Sequence, residues 1–212
     1  MSAIMPGMDF EVRAARRDDA LAPALLYASA APYYDAYAGS ERRARRLLAR
    51  MFPRPGHTAS FEVCRVAVAG GEVVGVLAGF PLHEADPLAT RFVNLSLRRL
   101  PPWHWPGVAA HLRAAGRLSP RPPHDSFYVD GLAVAEGVRR RGIATALLDD
   151  ATRTAAGRRS SGVALDTGLA NTGAKAFYEA VGFERGDVRT AADPRTARAI
   201  GGRGFISYFR AL

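Results

Sequence analysis

Three consecutive arginines stand directly before a glycine and an amphipathic stretch, in the segment VRRRGIATALLDDA at residues 138–151. Ile143, Leu147 and Ala151 recur at helical spacing, which predicts a helix over 139–157 with the arginines in its first turn. Positive charge at a helix N-terminus opposes the helix macrodipole. We therefore expect an anion there, bound by the arginines and by the free N–H groups of the turn.

The residue sizes around this turn suit a phosphate ligand. Gly142 and Ala144 are small where the backbone must approach such a ligand closely. A cluster of three arginines suits a diphosphate that carries two or more charges. The pattern Arg-x-x-Gly-x-Ala is a weak signal by itself, because short patterns of this kind occur often by chance.

A second segment, NTGAKAFYEAVGFE at residues 171–184, adds polar and aromatic side chains at helical spacing. Asn171, Ala174 and Tyr178 lie at positions i, i+3 and i+7 of a predicted helix over 171–181. These three residues therefore share one helical face, which can face a ligand.

Together the two segments resemble the GNAT superfamily of N-acetyltransferases. The family pattern is a strand that ends in Leu-x-Val, four loosely specified residues, and Arg-x-x-Gly-x-Gly/Ala at the start of a helix. This chain has LAV at 132–134, a gap of four, and RRRGIA at 139–144. It departs from the pattern at Glu136, where proline is usual, and at Arg140, where glycine is common. The motifs cover residues 126–185, and the order of elements extends the resemblance to 9–82.

The resemblance implies that acetyl-CoA binds where the strand meets the helix. The residues that it assigns to the cofactor are Leu132, Ala133, Val134, Arg139, Arg140, Arg141, Gly142, Ile143, Ala144, Thr145, Asn171, Ala174 and Phe177. Backbone groups of Leu132 and Val134 are expected to contact the acetyl and pantetheine amides. Asn171 either bonds to pantetheine or caps its helix, and both roles are compatible.

The resemblance also suggests an acid and a base for the reaction. Tyr178 is the candidate general acid for the departing thiolate, and the alternative is that it only packs its helix. Asp130 is the candidate general base, acting directly or through water, and the alternative is a structural or substrate-holding carboxylate. Asp130 is in phase with Leu132 and Val134 on the predicted strand, so we expect all three side chains to share one face.

Three further groups of residues are candidates for the acceptor side or for other ligands. Tyr33, Tyr34 and Tyr37 lie in a break between two predicted helices and form either an aromatic substrate wall or a packing cluster. The run WHW at 103–105 could cover the acceptor. Arg42, Arg46 and Arg50 share one helical face, which is either solvated or anion-binding.

The pattern of elements indicates one mixed α/β domain over residues 1–212. Two β-branched runs around Gly70-Gly71 are typical of a hairpin. The predicted elements are strand 10–15, helix 17–32, helix 41–52, hairpin 59–82, strand 126–135, helix 139–157, strand 161–167, helix 171–181, strand 183–190 and strand 204–212. With the resemblance, they imply a GNAT-like, mainly antiparallel central sheet of six to seven strands, flanked by about four helices and splayed at the central strand. The proline-rich segment 83–125 has only short helical stretches, near 87–100 and 107–117, and is interpreted as an insertion or lid.

Composition limits the remaining possibilities. The net charge is +9, and Lys175 is the only lysine among 29 basic residues, which indicates a GC-rich, bacterial genome. A single cysteine, Cys64, fits a reducing cytoplasm and a packing role. No apolar run is long enough to span a membrane, and the five histidines lack metal-ligand spacing.

We therefore expect an enzyme that transfers an acetyl group from acetyl-CoA to a primary amine of a small molecule or protein. The amine would attack the thioester directly in a ternary complex. The alternative is a non-catalytic acyl-CoA-binding sensor, which needs Arg139 to Thr145 and does not need an acid at Tyr178. Binding of nucleic acid is a third reading of the positive charge, and no recognition motif supports it. A homodimer is left open.

Overall fold

The computed structural model describes residues 9–212, which contain seven strands and eight α-helices. The strands are β1 (Glu11–Ala14), β2 (Cys64–Ala69), β3 (Glu72–Pro81), β4 (Phe127–Val134), β5 (Gly162–Gly168), β6 (Glu184–Thr190) and β7 (Gly204–Ala211). The helices are α1 (Ala22–Ser29), α2 (Ala31–Ala38), α3 (Glu41–Met51), α4 (Ala85–Leu97), α5 (Trp105–Leu118), α6 (Ile143–Gly157), α7 (Thr172–Ala180) and α8 (Pro194–Ala199).

All seven strands form one sheet, in the order β1-β2-β3-β4-β5-β7-β6. Every neighbouring pair is antiparallel except β4 and β5, which are parallel. The predicted hairpin is present: Gly70 and Gly71 connect β2 and β3 with φ values of +57° and +82°, a conformation that favours glycine. The predicted fold class is confirmed.

The sheet opens between β4 and β5. Their pairing covers only three residues on each strand and ends at Val129↔Leu165. Both strands continue beyond this point, β4 to Val134 and β5 to Gly168. The facing backbone edges of these continuations are therefore free to bind a ligand that carries amide groups, as an added strand would.

Helix α6 packs against one face of the sheet, and α1 packs against the other. The approach of α6 is close: a Cβ atom added to Gly75 of β3 would lie 2.8 Å from Cγ2 of Ile143. Leu147 and Leu148 are fully buried in this contact. A leucine buried to this degree contributes roughly 1.5–3 kcal/mol, so the start of α6 is held firmly at the opening of the sheet.

Residues 9–212 contain eight α-helices, whereas about four were expected to flank the sheet. Residues 31–38, interpreted as a break, form α2, because Pro32 is tolerated in a first helical turn and Gly39 ends the helix at φ +80°. In segment 83–125, the short helical stretches expected near 87–100 and 107–117 are α4 and α5. These helices pack against α3 and α2, and α5 also contacts the short helix α8. Within residues 9–212, every helix is too short or too polar to traverse a lipid bilayer.

Candidate functional site

The three arginines lie in the turn before α6 and are not in its first turn as predicted. The helix begins at Ile143, and Arg139 ends a short 3₁₀ turn. Arg140 and Gly142 both have positive φ values, +60° and +80°. This conformation ends regular structure before the helix, which explains why glycine is common at the position that Arg140 occupies here.

The turn presents a row of free backbone donors. Within residues 9–212, no acceptor bonds to the N–H groups of residues 140–145, and the first paired donor is Ala146, which bonds to the Gly142 carbonyl at 2.9 Å. Among the described residues, no side chain caps the helix. A Cβ atom at Gly142 would meet nothing within 4 Å, so open space lies above the turn. Such a turn is suited to bind phosphate oxygens.

The arginine side chains surround this turn without strong ion pairs. Arg139 donates from Nε to the Val134 carbonyl at 3.1 Å and lies 3.7 Å from Glu136. Arg140 and Arg141 are exposed, and neither pairs with a carboxylate of residues 9–212. The turn therefore combines three positive charges with the positive end of the α6 dipole.

Asp130 does not share a face with Leu132 and Val134, contrary to the prediction from strand alternation. Val129 pairs with Gly79 and Gly131 pairs with Ala78, so Asp130 is an extra residue without a partner on β3. Such a bulge reverses the alternation of side chains beyond it. Leu132 and Val134 pack on the core beneath α6, whereas Asp130 influences tyrosines of the opposite side.

Asp130 and Asp166 lie together at the apex of the opening. They directly follow Val129 and Leu165, the last paired residues of β4 and β5. Tyr128 donates a hydrogen bond of 2.5 Å to Asp166 Oδ2. Within residues 9–212, nothing donates to the Asp130 carboxylate. Solvent reaches this carboxylate through the open side of the cleft, while protein crowds it on the other sides.

This environment disfavours negative charge. Burial, with a further contribution from the charge of Asp166, raises the pKa of Asp130 to about 7. Burial also raises the pKa of Asp166, although the hydrogen bond from Tyr128 offsets part of this effect. The pair therefore favours a bound cation or a bound proton.

Two of the three predicted acceptor tyrosines lie beside this pair. Burial raises the pKa of Tyr33 and of Tyr34, and the charge of Asp130 raises both further, so both hydroxyls remain protonated. Tyr37 is placed differently: it is buried, and its hydroxyl is hydrogen-bonded to Ser96. The structure thus brings Tyr33 and Tyr34 to the cleft and places Tyr37 in the packing beneath it.

Tyr178 is buried on α7, and its ring contacts Phe177, Phe183 and Tyr208 at centroid distances of 5.6–5.9 Å. Its hydroxyl has no hydrogen-bond partner within residues 9–212, and the oxygen is accessible to solvent. Burial, followed by the charge of Asp166, raises the pKa of Tyr178 above its usual value. Both the packing role and the acid role remain compatible with this position.

The remaining predicted residues have clear local roles. Asn171 caps α7, because its Oδ1 accepts from the Ala174 N–H at 3.2 Å. His104 donates to the Tyr37 carbonyl at 2.9 Å, while Trp103 is 79% exposed. Cys64 is buried, and burial raises the pKa of its thiol, which fits packing and disfavours a thiolate.

Two residues of the cleft, Asp166 and Tyr128, do not emerge from the sequence motifs. One signal could have located Asp166: the buried runs FYV and VAL each end in aspartate. Parallel pairing of these runs in register necessarily brings the two aspartates side by side. No sequence pattern indicates Tyr128, because its role is to donate a hydrogen bond to Asp166 on the neighbouring strand.

Comparisons with known proteins agree with this geometry. The family model described as acetyltransferase (GNAT) family matches residues 24–183. No curated protein matches the chain at a significant level. A solved N-acetyltransferase from Staphylococcus aureus Mu50 has a TM-score of 0.70 at 15% identity, covering 94% of this chain and all of that one. A polyamine N-acetyltransferase from Drosophila melanogaster, which forms N-acetylagmatine, has a TM-score of 0.59 at 16% identity, covering 96% of this chain and all of that one.

Proposed function

Because the chain belongs to the acetyltransferase (GNAT) family, we propose that it transfers the acetyl group of acetyl-CoA to the primary amine of a cationic acceptor. Family membership confirms two predictions, the acyltransferase class of the enzyme and acetyl-CoA as the donor. The acceptor and the order of the steps belong to the proposal. The observation that carries it is the opening of the sheet, which has free N–H donors at one end and two carboxylates at the other.

The turn before α6 fits the phosphates of the donor. A diphosphate requires N–H donors, space and positive charge. The turn offers six N–H groups that have no acceptor within residues 9–212, open space above Gly142, and three arginines. The free edge of Leu132 to Val134 would bind the amide groups of the pantetheine arm. The donor supplies an activated acyl carbon with a thiolate leaving group.

Asp130 is suited to accept a proton from the acceptor. An amine has a pKa near 10 and reaches the site as an ammonium ion, which the carboxylate pair attracts. A base with a pKa near the working pH combines a useful ionised fraction with a useful basicity. Asp130, with a pKa of about 7, meets this condition. The neutral nitrogen then bonds to the acyl carbon as the carbon–sulfur bond breaks. The nitrogen loses its second proton in this step, and that proton balances the one that the departing thiolate takes up.

Tyr178 is the candidate donor of the proton that the departing thiolate takes up. Its free hydroxyl makes it available for this role. Its raised pKa makes the transfer uphill to a thiolate of pKa near 8.5, so a hydrogen bond in the complex must assist it. Binding both reactants in one cleft lowers the entropic part of the barrier by several kcal/mol.

The chemistry of the cleft favours a small cationic amine. Asp130 and Asp166 supply negative charge, and the hydroxyls of Tyr33 and Tyr34, close enough to Asp130 to feel its charge, can accept a hydrogen bond from an ammonium ion. The fold neighbour that forms N-acetylagmatine acts on an acceptor of this type. We therefore place agmatine and spermidine among the first acceptors to test.

A thermal-shift titration followed by a thiol-release assay tests the proposal. A ligand at about a hundred times its Kd stabilises the folded state by roughly 2.7 kcal/mol. We expect acetyl-CoA to raise the Tm more than ATP does at equal concentration, and thiol release to require an amine. Stabilisation without turnover of any cationic amine would contradict catalysis and favour an acyl-CoA sensor. Absence of a shift would contradict the cofactor site itself.

A further inference from the structure

Five arginines converge on a second cavity, which shares no residue with the site described above. Its volume is about 190 Å³, and it lies between α3 and the segment that follows α4. Its charged walls consist of Arg42, Arg43, Arg46, Arg50 and Arg99. Leu47 and Leu100, both buried in the core, form its apolar floor.

The charges around this cavity are not compensated by the protein. Within residues 9–212, no carboxylate lies within 4 Å of any of the five guanidinium groups. Glu41, the only acidic residue of α3, pairs instead with Arg45 at 2.8 Å. The spacing of Arg42, Arg46 and Arg50 places like charges four residues apart, which destabilises a helix. Arg42 also lies in the first turn, where positive charge is unfavourable.

Arg99 shows that the cluster is more than a solvated stripe of one helix. It comes from a separate segment and is anchored by a 2.9 Å hydrogen bond from Nη1 to the Leu95 carbonyl. Burial lowers the pKa of Arg99, and the neighbouring charges of Arg54, Arg50 and Arg98 lower it further. The fold therefore holds like charges together across two elements at an electrostatic cost.

We propose that this cavity binds a small phosphate-bearing anion. The planar guanidinium fork matches phosphate oxygens in a bidentate manner, and several forks around one anion would offset their mutual repulsion. The cavity is smaller than the pockets that enclose drug-sized ligands, so it admits phosphate groups and excludes a whole coenzyme. This proposal is independent of the acetyltransferase chemistry.

Calorimetric titration with pyrophosphate tests the proposal. Saturating CoA is present throughout, so that the turn before α6 is already filled. We expect one equivalent of pyrophosphate to bind the wild type. The variant Arg46→Gln/Arg50→Gln should weaken this binding at least tenfold. The control Arg113→Gln/Arg117→Gln removes the same charge from exposed positions of α5 and should leave the affinity unchanged.

The variant Arg46→Lys/Arg50→Lys keeps the charge and removes the forked geometry, so we expect an intermediate loss. Melting curves of all variants verify folding. Absence of saturable binding to the wild type would overturn the proposal. Equal losses in the two glutamine variants would also overturn it, because they would indicate general electrostatics. A DNA duplex that binds where pyrophosphate does not would replace the small-anion site with a nucleic-acid surface.

Discussion

The turn that contains Arg139 to Arg141 and the pair Asp130–Asp166 are joined by strand β4, yet the protein constructs them in opposite ways. The turn is one contiguous stretch, exposed and positive, whose ligand-facing groups are backbone N–H donors. The carboxylate pair comes from two strands, has protein around it although solvent still reaches Asp130, and depends on side chains and on a bulge. Backbone N–H donors remain when a side chain is substituted, whereas substitution of either aspartate removes a carboxylate from the pair.

This difference separates binding from chemistry in the proposed mechanism. Substitutions at the turn should change the affinity for the donor, because the N–H groups remain when one arginine is lost. Substitutions at the carboxylate pair should change turnover, because one proton acceptor has no substitute. The predictions below test that separation.

The largest effect is expected for Asp130→Asn. The amide cannot accept the ammonium proton, and general-base catalysis contributes typically 10²–10⁴-fold. We expect kcat to fall by about 10²–10³-fold, with a smaller change in the KM for acetyl-CoA. Steady-state thiol release with a cationic acceptor measures both constants. The control Asp149→Asn changes an exposed carboxylate of α6 and should retain the wild-type rate.

The pH profile of the same two proteins refines this test. With a pKa of about 7, Asp130 is mostly protonated at pH 6 and mostly ionised at pH 8. The ratio of the wild-type rate to the Asp130→Asn rate should therefore rise across this interval, and the titration of the acceptor cancels in the ratio. A ratio that does not vary with pH would argue against Asp130 as the base.

A smaller effect on turnover is expected for Tyr178→Phe. The change removes only the hydroxyl, so the ring contacts with Phe183 and Tyr208 remain. Loss of a proton donor should lower kcat by about 10²-fold, with the KM for acetyl-CoA nearly constant. Tyr208→Phe is the matched control, because its hydroxyl bonds to Glu179 and the ring packs in the same cluster. A fully active Tyr178→Phe enzyme would leave only the packing role.

At the turn, Arg141→Glu should act on binding alone. The reversal places negative charge beside the proposed phosphates, and we expect the KM for acetyl-CoA to rise about tenfold, or roughly 1.4 kcal/mol, with kcat within twofold of wild type. Arg117→Glu makes the same change at an exposed position of α5 and should leave KM unchanged. Equal effects of the two variants would indicate nonspecific attraction, and a large fall in kcat for Arg141→Glu would remove the proposed division of roles.

The same contrast explains what could be predicted from the sequence. The turn was recognisable because its residues are adjacent, although the start of α6 moved from residue 139 to Ile143 once Arg140 and Gly142 adopted positive φ values. The prediction of the sheet face on which Asp130 lies was wrong. Alternation of side chains assumes an unbroken strand, and the bulge at Asp130 arises only when β4 pairs with β3. Asp166 required the register between two strands that are 36 residues apart in sequence.

Two helices, α2 and α8, were missed, whereas α4 and α5 match the short helical stretches expected near 87–100 and 107–117. Proline and glycine around α2 were interpreted as a break, although proline is compatible with the first turn of a helix. In α4 and α5, neighbouring helices supply the packing that stabilises the segments. Tertiary contacts of this kind outweigh local propensity, and a single sequence does not contain them explicitly.

The smallest expected effect concerns stability. The folded-state pKa of Asp130, about 7, lies above the ordinary value of 3.8 for an aspartate, so at this site the folded state binds more protons than the unfolded state between these values. The contribution of Asp130 to folding stability therefore falls as the pH rises from 4 to 7, and its destabilising effect is complete above pH 7. Asp130→Asn removes the charge and should stabilise the protein by about 1 kcal/mol at pH 8, a value reduced because solvent screens the carboxylate. At pH 4 it should have no effect.

Urea unfolding of the wild type, Asp130→Asn and Asp149→Asn at pH 4 and pH 8 measures this difference. We expect only Asp130→Asn to gain stability, and only at the higher pH. Arg141→Glu should show no such pH-dependent gain, because the turn is exposed and its donors are backbone groups. An Asp130→Asn protein that is less stable than wild type at pH 8 would mean that the carboxylate stabilises the fold. The carboxylate pair would then not lower the free energy of unfolding, and this difference between the pair and the turn would disappear.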